Sequence, residues 1–457
     1  MNRLIFVMVS LGLSFLINGS FNSDWYALVS YALLFYFLLD FVYAFGRDLR
    51  VLDLPILLSV FQCLVMPAIV YHLYNDDYYV KALKFDMSVN EDAYYGYMLP
   101  AVIALIIGLR FPLRGIQPVI GTPDFYRITV NGIKEHLKGK EKTGLLLIAI
   151  GFSFGIFEKF LPQTLAYFLF LFSKLIYVGI IYIYFSDSPR KNLYLAGGLF
   201  LALTQAILTG LFGDLVFLTA LSILLVLLGK QVNFGKSIIL ILIGGFFVLI
   251  LQTLKQEYRK LTWKDSSADK ASVFFNIAMD RATNIESIFD KEGAFPVVVR
   301  FNEGMIVGKV MDYVPRITPY QDGKTIWLSL AASFVPRYLW PDKPEAGGHE
   351  NMRLFTGYNI EGYSMNIGPY GEAYGNFGKN GGIFYMFVYG LFFNFVFYQI
   401  QKISKQRPTI LLWVPYLFLN SIQVETDTLL TVNTIIKGAL FIWLFFFVFE
   451  RTTRLSL

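Results

Sequence analysis

Long apolar runs separated by short polar segments make up most of the chain. Roughly 20 consecutive apolar residues cross the hydrocarbon core of a bilayer as an α-helix. We therefore predict membrane-spanning helices near residues 4–20, 26–45, 52–74, 95–111, 143–160, 164–185, 193–209, 212–229, 237–254, 381–399, 409–423 and 432–450. The first run is either a signal peptide or an uncleaved span, and the lack of a convincing small-residue cleavage site favours the span. The predicted fold class is an all-α polytopic membrane protein with about twelve transmembrane helices.

The charged residues of the loops indicate how the predicted helices are oriented. Basic residues gather in the loops near residues 47–50, 114–142, 190–191, 230–236, 402–407 and 451–454, and acidic residues in the alternate loops near 76–92, 214 and 425–427. Because cytoplasmic loops carry the excess of Lys and Arg, we expect both termini in the cytoplasm. We interpret the basic stretch 114–143 as a solvated loop, with contact to anionic lipid headgroups as the alternative.

One long polar segment interrupts the apolar pattern between the ninth and tenth predicted spans. It divides the chain into spans one to nine (1–254), an extracytoplasmic segment (255–380) and spans ten to twelve (381–457). The segment is rich in Arg, Gly, aromatic residues and carboxylates. Its many aromatic residues argue against disorder. We expect any chemistry at the membrane surface to occur here.

Composition supports the membrane interpretation and excludes several kinds of site. The 457 residues are 56% hydrophobic and only 16% charged, whereas a soluble domain carries about 25% charged residues. The net charge of +6 does not indicate nucleic acid, because the basic residues lie in short loops between apolar runs. The single cysteine and three widely separated histidines predict neither a disulfide framework nor a metal cage, so we expect no metal and no cofactor.

Arginines of the polar segment are candidates for binding phosphate. An enzyme outside the cytoplasm has no ATP or nucleotide sugar, and its activated substrates arrive on lipids, typically through a diphosphate. Arginine suits such a group because its planar fork binds two phosphate oxygens. The candidate cations are Arg281, Arg300, Arg337, Lys343 and Arg353. Arg337 stands out because flanking prolines and aromatic residues make its setting rigid, although a single arginine is more often part of a surface salt bridge.

Two residues are candidate general bases. Glu372 lies among glycines and aromatic residues just before the tenth predicted span, and His349 follows a glycine pair. A carboxylate or an imidazole can accept the proton of an attacking hydroxyl. The alternative for Glu372 is a structural one, in which its charge stabilises a helix N-terminus.

Aromatic residues and one lysine complete the candidates. Tyr338, Trp340 and Tyr374 belong to an aromatic cluster that suits a glycan-binding surface, because sugar rings stack on aromatic rings; an interfacial aromatic belt is the alternative. Lys174 lies within a predicted span, where a charge is costly. Either a partner carboxylate or a cavity for a lipid diphosphate explains it.

Two stretches of the polar segment resemble the Wzy-type oligosaccharide repeat-unit polymerases of bacterial surface polysaccharides. FVPRYLWPDKP (334–344) is similar to the signature PR-x-x-W-P-x-K-P, and GPYGEAYGNFGKNGG (368–382) is similar to the block G-E-x-Y-x-N-F-G-x-x-G. Arg337 and Gly348 also fit the R-x10-G spacing of the outer loops of these enzymes. Arg300 does not fit it, because Met311 occupies the glycine position.

The resemblance implies a GT-C-like membrane glycosyltransferase in the bacterial cytoplasmic membrane. Its donor and its acceptor would be oligosaccharide repeat units linked to undecaprenyl diphosphate. A hydroxyl of one unit attacks the anomeric carbon of the other, and polyprenyl diphosphate leaves. The implied partners are these lipid-linked glycans, membrane lipids and a regulator of chain length.

Other functions remain open at the level of the sequence. An O-antigen-ligase-like glycan transferase would share the topology and differ in its acceptor. A lipid-linked oligosaccharide flippase would show repeated halves and a polar cavity along several spans, and the sequence shows neither. A non-catalytic assembly partner would not need the arginine-bearing motif.

Overall fold

The structure of the protein is a computed structural model. It describes residues 3–21, 24–74, 80–81, 85–113, 119–157, 163–210, 212–230, 232–264, 270–283, 297–335, 339–344, 348–360, 365–453 and 455–457. Throughout this part, the regular secondary structure is helical and there is no β-strand. The all-α fold class is therefore confirmed.

The first half of the chain forms helices α1 (Arg3–Phe21), α2 (Trp25–Ala44), α3 (Asp53–Leu73, with a π-helical turn at Phe61–Val65), α4 (Glu91–Leu109), α5 (Pro123–Leu137), α6 (Glu141–Phe157), α7 (Gln163–Ser173), α8 (Leu175–Phe185) and α9 (Lys191–Thr209). The second half forms α10 (Phe212–Leu227), α11 (Phe234–Lys264), α12 (Lys270–Thr283), α13 (Gly304–Tyr313), α14 (Lys324–Phe334), α15 (His349–Thr356), α16 (Gly368–Ser404), a 3₁₀ helix (Pro408–Trp413), α17 (Val414–Phe418) and α18 (Thr428–Thr453).

Seven of the described helical stretches are long and apolar enough to cross a membrane. They are α2, α3, α4, α9, residues 234–251 of α11, α16 and α18. Four shorter apolar helical stretches, at 3–19, 169–185, 212–227 and 408–418, overlap further predicted spans. The chain is therefore a helical protein with several candidate membrane spans. The count of twelve stays a prediction.

The predicted span 164–185 is two helices of 11 residues each, α7 and α8, which meet at Lys174. The ammonium of Lys174 lies 2.6 Å from Asp214 Oδ2, in the first turn of α10, and 4.4 Å from the centre of the Phe170 ring. This carboxylate is the partner that one of the two sequence hypotheses required. A buried charge needs such a partner, and the periodicity of the run gives no sign of it.

The predicted span 409–423 is not a continuous helix. The 3₁₀ helix and α17 are short, and the backbone from Leu419 to Asp427 is irregular. Its two ends lie far apart along the bundle, because Arg407 pairs with Glu450 near the end of α18 at 3.5 Å, whereas Val424 packs against the start of α16. The segment is buried among the other helices, which is where non-helical backbone is tolerated at membrane depth.

Helices α4 and α16 run parallel and pack closely. Gly108 and Gly390 face each other, and a Cβ added to Gly390 would lie 2.6 Å from the carbonyl oxygen of Leu105, so a side chain does not fit there. Nearer the other end, the Tyr97 hydroxyl donates a hydrogen bond of 2.7 Å to the carbonyl of Tyr370. The N-termini of α4 and α16 therefore lie at the same end of the bundle.

The described part of the basic stretch 114–143 differs from the solvated loop that we expected. Residues 123–137 form α5, whose inner face buries Phe125, Tyr126, Val130 and Ile133. The apolar residues recur with helical spacing, so the amphipathic helix was detectable from the sequence. The basic side chains lie on the rest of its surface.

Candidate functional site

A cavity of about 230 Å³ lies where the polar segment meets the start of the last helix. Its walls are formed by α14 and α15, and we call it the α14–α15 cavity. The lining residues are Gln321, Lys324, Thr325, Leu328, Ser329, Pro344, Gly348, Glu350, Asn351, Leu354, Asp427 and Leu429. It brings a lysine, two carboxylates and several hydroxyl or amide groups around one small space.

Glu372 lies behind this cavity and is completely buried. The Thr325 hydroxyl donates a hydrogen bond of 2.9 Å to Glu372 Oε1, and the backbone N–H of Thr428 donates one of 3.1 Å to Oε2. The Asn376 amide donates to Thr325 Oγ1 at 2.7 Å and to the carbonyl of Glu372 at 2.8 Å. Glu372 thus connects α14, α16 and the first residue of α18.

The position of Glu372 matches the structural alternative that the sequence allowed, but on a different helix. Its carboxylate lies at the N-terminus of α18 and not at that of its own helix. A helix N-terminus carries a partial positive charge and unpaired N–H groups. In this arrangement Thr325, and not Glu372, lines the cavity.

Asp427 is one of the two carboxylates that line the cavity, and Glu350 is the other. Asp427 precedes α18, and its Oδ1 accepts a hydrogen bond of 2.8 Å from the backbone N–H of Leu430, as a helix cap does. Burial, together with the negative charge of nearby Glu372, raises the pKa of Asp427 to about 7. A general base works best when its pKa is near the working pH, so Asp427 is suited to proton transfer.

A second charged cluster includes Glu425, which lies in the irregular segment before α18. Arg300 Nη2 contacts Glu425 Oε1 at 2.8 Å. Glu303 is buried nearby, where burial and the charge of Glu425 raise its pKa while Arg300 opposes the shift. Arg300 therefore holds the loop that carries Asp427, as a surface or boundary ion pair would.

Several predicted site residues lie elsewhere or outside the described part. Arg337 and Tyr338 lie outside the described residues, and so does the side chain of Arg281 in α12. His349 and Arg353 are on exposed positions of α15, and His349 Nδ1 lies 2.8 Å from the carbonyl oxygen of Ile360. The structure thus places the two α15 residues beside the cavity wall and not in its lining.

The remaining predicted residues have packing or capping contacts. Lys343 donates to the carbonyls of Ala332 and Val335 at 3.1 and 3.0 Å, at the C-terminus of α14, where a cation is favourable. Tyr374 packs edge-on against Tyr97, with ring centroids 4.9 Å apart. Trp340 is half-buried. Lys174 is paired with Asp214 and does not line the cavity.

The backbone conformation at Gly348, the glycine of the R-x10-G spacing, requires a glycine at this position. Its φ is +78°, at the position before α15, and an added Cβ would lie 2.8 Å from Asn366 Cα and closer still to the Met365 carbonyl. Only glycine adopts this conformation without cost. The spacing therefore marks the turn that closes one wall of the cavity.

Sequence reasoning missed Asp427 and Thr325. Asp427 was used only to orient the helices, although an Asp directly before an apolar helix is a recognised start signal. The sequence does not indicate that Asp427 lies near Glu372, because the two residues are brought together by the irregular segment 419–427 before α18. Thr325 gave no signal of its own.

Two larger cavities lie at the other end of the bundle. One, of about 440 Å³, is lined by His136, Arg407 and Glu450 among others. The other, of about 510 Å³, is lined by residues of α5 and by Lys191 and Lys230. Neither includes residues of the polar segment. Of these three cavities, the α14–α15 cavity is the one that fits the predicted chemistry.

Comparison with known proteins identifies the family and not the activity. No curated protein and no solved structure matches the chain. One family model matches residues 126–412, a region that includes α14, α15 and Glu372 and ends before Asp427. Because this match covers more than half of the chain, the protein belongs to the family of DUF8712, a domain of unknown function.

Proposed function

We propose that the protein is a membrane glycosyltransferase that polymerises oligosaccharide repeat units carried on polyprenyl diphosphate. The observation that carries the proposal is the α14–α15 cavity with Asp427 in its lining and Glu372 behind it. Pro344, in the lining, belongs to one stretch that resembles the polymerase signature, and Glu372, behind the cavity, belongs to the other. The several long apolar helices agree with a lipid-borne substrate.

In the proposed reaction, Asp427 accepts the proton of the acceptor hydroxyl. The hydroxyl oxygen forms a bond to the anomeric carbon of the donor sugar, and the bond from that carbon to the diphosphate oxygen breaks. Polyprenyl diphosphate leaves with the electron pair of the broken bond. Cations that contact the diphosphate lower the barrier by stabilising the charge that develops on it.

We assign the contact with the diphosphate to the guanidinium of Arg337, with the ammonium of Lys324 as a second cation. Lys324 lines the cavity, and Arg337 comes three residues after the end of α14 in the chain. Arg300 is given a positioning role, because its guanidinium pairs with Glu425. Glu372 is likewise a positioning residue, which holds the start of α18 and the Thr325 hydroxyl.

The proposal includes a topology in which the cavity faces away from the cytoplasm, within a bundle of twelve spans. Single cysteines introduced at Asp322, an exposed position next to α14, and at Lys138, after α5, test it. The background is Cys63→Ala, since Cys63 is buried and is the one native cysteine. An impermeant thiol reagent added to intact cells should label position 322 and spare 138. The reverse pattern would place the cavity on the side that lacks the substrate.

Activity is tested with purified full-length protein and a defined repeat unit on polyprenyl diphosphate, with products sized on a gel. We expect a ladder from the wild type and none from Arg337→Ala or Asp427→Asn. Arg316→Ala is the matched control, because Arg316 is an exposed arginine of the same segment that pairs with Asp312 in the adjacent turn. Full ladders from Arg337→Ala and Asp427→Asn would refute the assigned roles.

The same assay distinguishes the alternatives. A ligase-like transferase would give no ladder and would instead transfer a preformed glycan to a lipid A core. A flippase would move the lipid-linked unit across a vesicle membrane and form no new glycosidic bond. Either result would replace the polymerase assignment.

A further inference from the structure

Three side chains of metal-binding type converge at the ends of the first helices. Asp24 precedes α2, His72 lies in the last turn of α3, and Glu91 is the first residue of α4. His72 Nε2 lies 3.7 Å from Asp24 Oδ1 and 3.6 Å from Glu91 Oε1, and one ligand atom from each residue lies within 4.8 Å of the other two. They are 48 and 19 positions apart in sequence, which is why spacing did not predict the group.

His72 is not joined to the two carboxylates by hydrogen bonds. Distances of 3.6 and 3.7 Å are too long for them. His72 Nε2 and Glu91 Oε1 are both buried atoms with no hydrogen-bond partner among the described residues. Leaving such atoms unsatisfied costs about 1–3 kcal/mol each. Because one ligand atom from each of the three side chains lies within 4.8 Å of the other two, a single ion among them could contact all three.

The separations suit a metal ion. Zinc binds imidazole nitrogen and carboxylate oxygen at about 2.0–2.2 Å with tetrahedral geometry, which separates neighbouring ligand atoms by roughly 3.4 Å. The observed 3.6 and 3.7 Å need only a small closure to reach this value. An imidazole in the set favours zinc and similar transition metals over Mg²⁺ and Ca²⁺, which prefer oxygen ligands.

The supporting contacts hold the three side chains in place. Asp24 Oδ1 also accepts a hydrogen bond of 3.0 Å from the N–H of Ala27 and so caps α2. The Tyr71 hydroxyl, next to His72, donates to the Val89 carbonyl at 2.8 Å, two residues before Glu91. Contacts of this kind orient metal ligands and tune their affinity.

A third contact joins α2 to α4 directly. The Tyr26 hydroxyl donates to Asp92 Oδ1 at 2.9 Å, and the Tyr26 ring stacks on Tyr95 with centroids 4.8 Å apart. The helix ends are therefore held together before any ion binds. Such pre-organisation reduces the cost of forming a site.

We propose that Asp24, His72 and Glu91 bind one divalent ion of the zinc class, which links the ends of α2, α3 and α4. A water molecule completes the tetrahedron. By joining three helix ends, the ion stabilises the end of the bundle at which α16 begins. This inference does not depend on the proposed glycosyl transfer.

The test uses full-length protein purified in detergent through a tag without histidine, stripped with EDTA and titrated with Zn²⁺ alone. Bound zinc is counted by mass spectrometry, and affinity is measured by competition with a chromophoric chelator. We expect one ion per chain in the wild type, and binding at least about 100-fold weaker in His72→Ala and Glu91→Gln. His136→Ala is the matched control, because His136 lies at the other end of the bundle, and it should bind as the wild type does.

Two further measurements keep the result decisive. Co²⁺ in place of Zn²⁺ should give the visible absorption of a tetrahedral ion in the wild type and not in His72→Ala. If His72→Ala fails to fold, Asp24→Asn replaces it, because Asn also caps helices while it removes the charged ligand. No bound ion in the wild type would show that the three side chains do not form a metal site, and equal binding by wild type and His72→Ala would place the ion elsewhere. Either result would overturn the proposal.

Discussion

Replacing Asp427 by Asn should stabilise the protein at high pH and abolish glycosyl transfer. Asn caps a helix about as well as Asp, so the hydrogen bond from the Leu430 N–H is kept. What the substitution removes is a negative charge that is buried beside Glu372. The two properties should therefore change in opposite directions, as expected where a site retains an unfavourable charge for function.

The magnitude follows from the pKa. Burial and the charge of Glu372 raise the pKa of Asp427 from 3.8 to about 7. Between these pH values the folded chain holds a proton that the unfolded chain has released, so this residue's contribution to stability is complete below about pH 4 and falls as the pH rises toward 7. The full difference corresponds to about 4 kcal/mol as an upper limit. Asn does not titrate and avoids this loss.

The assay is the free energy of unfolding in detergent at pH 5 and pH 8 for the wild type, Asp427→Asn and a control. We expect the advantage of Asp427→Asn to increase between the two pH values by about 1–3 kcal/mol. Asp312→Asn is the control, because Asp312 is half-exposed beside Arg316 and its replacement should have little effect. If Asp427→Asn is no more stable than the wild type at pH 8, the argument that the charged carboxylate of Asp427 destabilises the folded protein is refuted.

Three other substitutions test the packing that positions the site, each by its free energy of unfolding. Lys174→Met should cost up to about 3–5 kcal/mol because it leaves the half-buried carboxylate of Asp214 without a partner, and adding Asp214→Leu should recover most of the loss; no recovery would show that the pair is not coupled. Gly390→Leu should cost at least about 1–3 kcal/mol through overpacking, and a stable variant would contradict the close contact of α4 and α16. Thr325→Val should cost about 1–3 kcal/mol because Glu372 loses a hydrogen-bond donor, whereas an unchanged stability would remove Thr325 from the network.

The long helices were predictable because their signal is local. Runs of apolar residues define α2, α3, α4 and α18 within a few positions of the expected bounds. The glycine-rich block 368–382 was assigned almost entirely to the polar segment before the tenth predicted span, yet it begins α16. The prediction differed from the structure because frequent glycines indicate a flexible backbone. In the structure these small residues instead allow close helix packing, and the helix is kinked at Gly378.

The candidate site was predictable only in part. The sequence indicated Glu372 and the region of the R-x10-G spacing, because unusual residues interrupt an apolar pattern there. It did not indicate that Glu372 would be buried against Thr428, or that Asp427 would line the cavity. Those facts depend on contacts between residues more than 50 positions apart.

Composition and periodicity alone established that the chain is helical and apolar enough for a membrane, since the spacing of apolar side chains is a property of neighbouring residues. The tertiary structure decided which charges meet: Lys174 with Asp214, Arg300 with Glu425, and Asp24 with His72 and Glu91. The physical reason is that a buried charge is tolerated only beside a suitable partner. Chain folding supplies that partner from a distant position, and no local pattern records it.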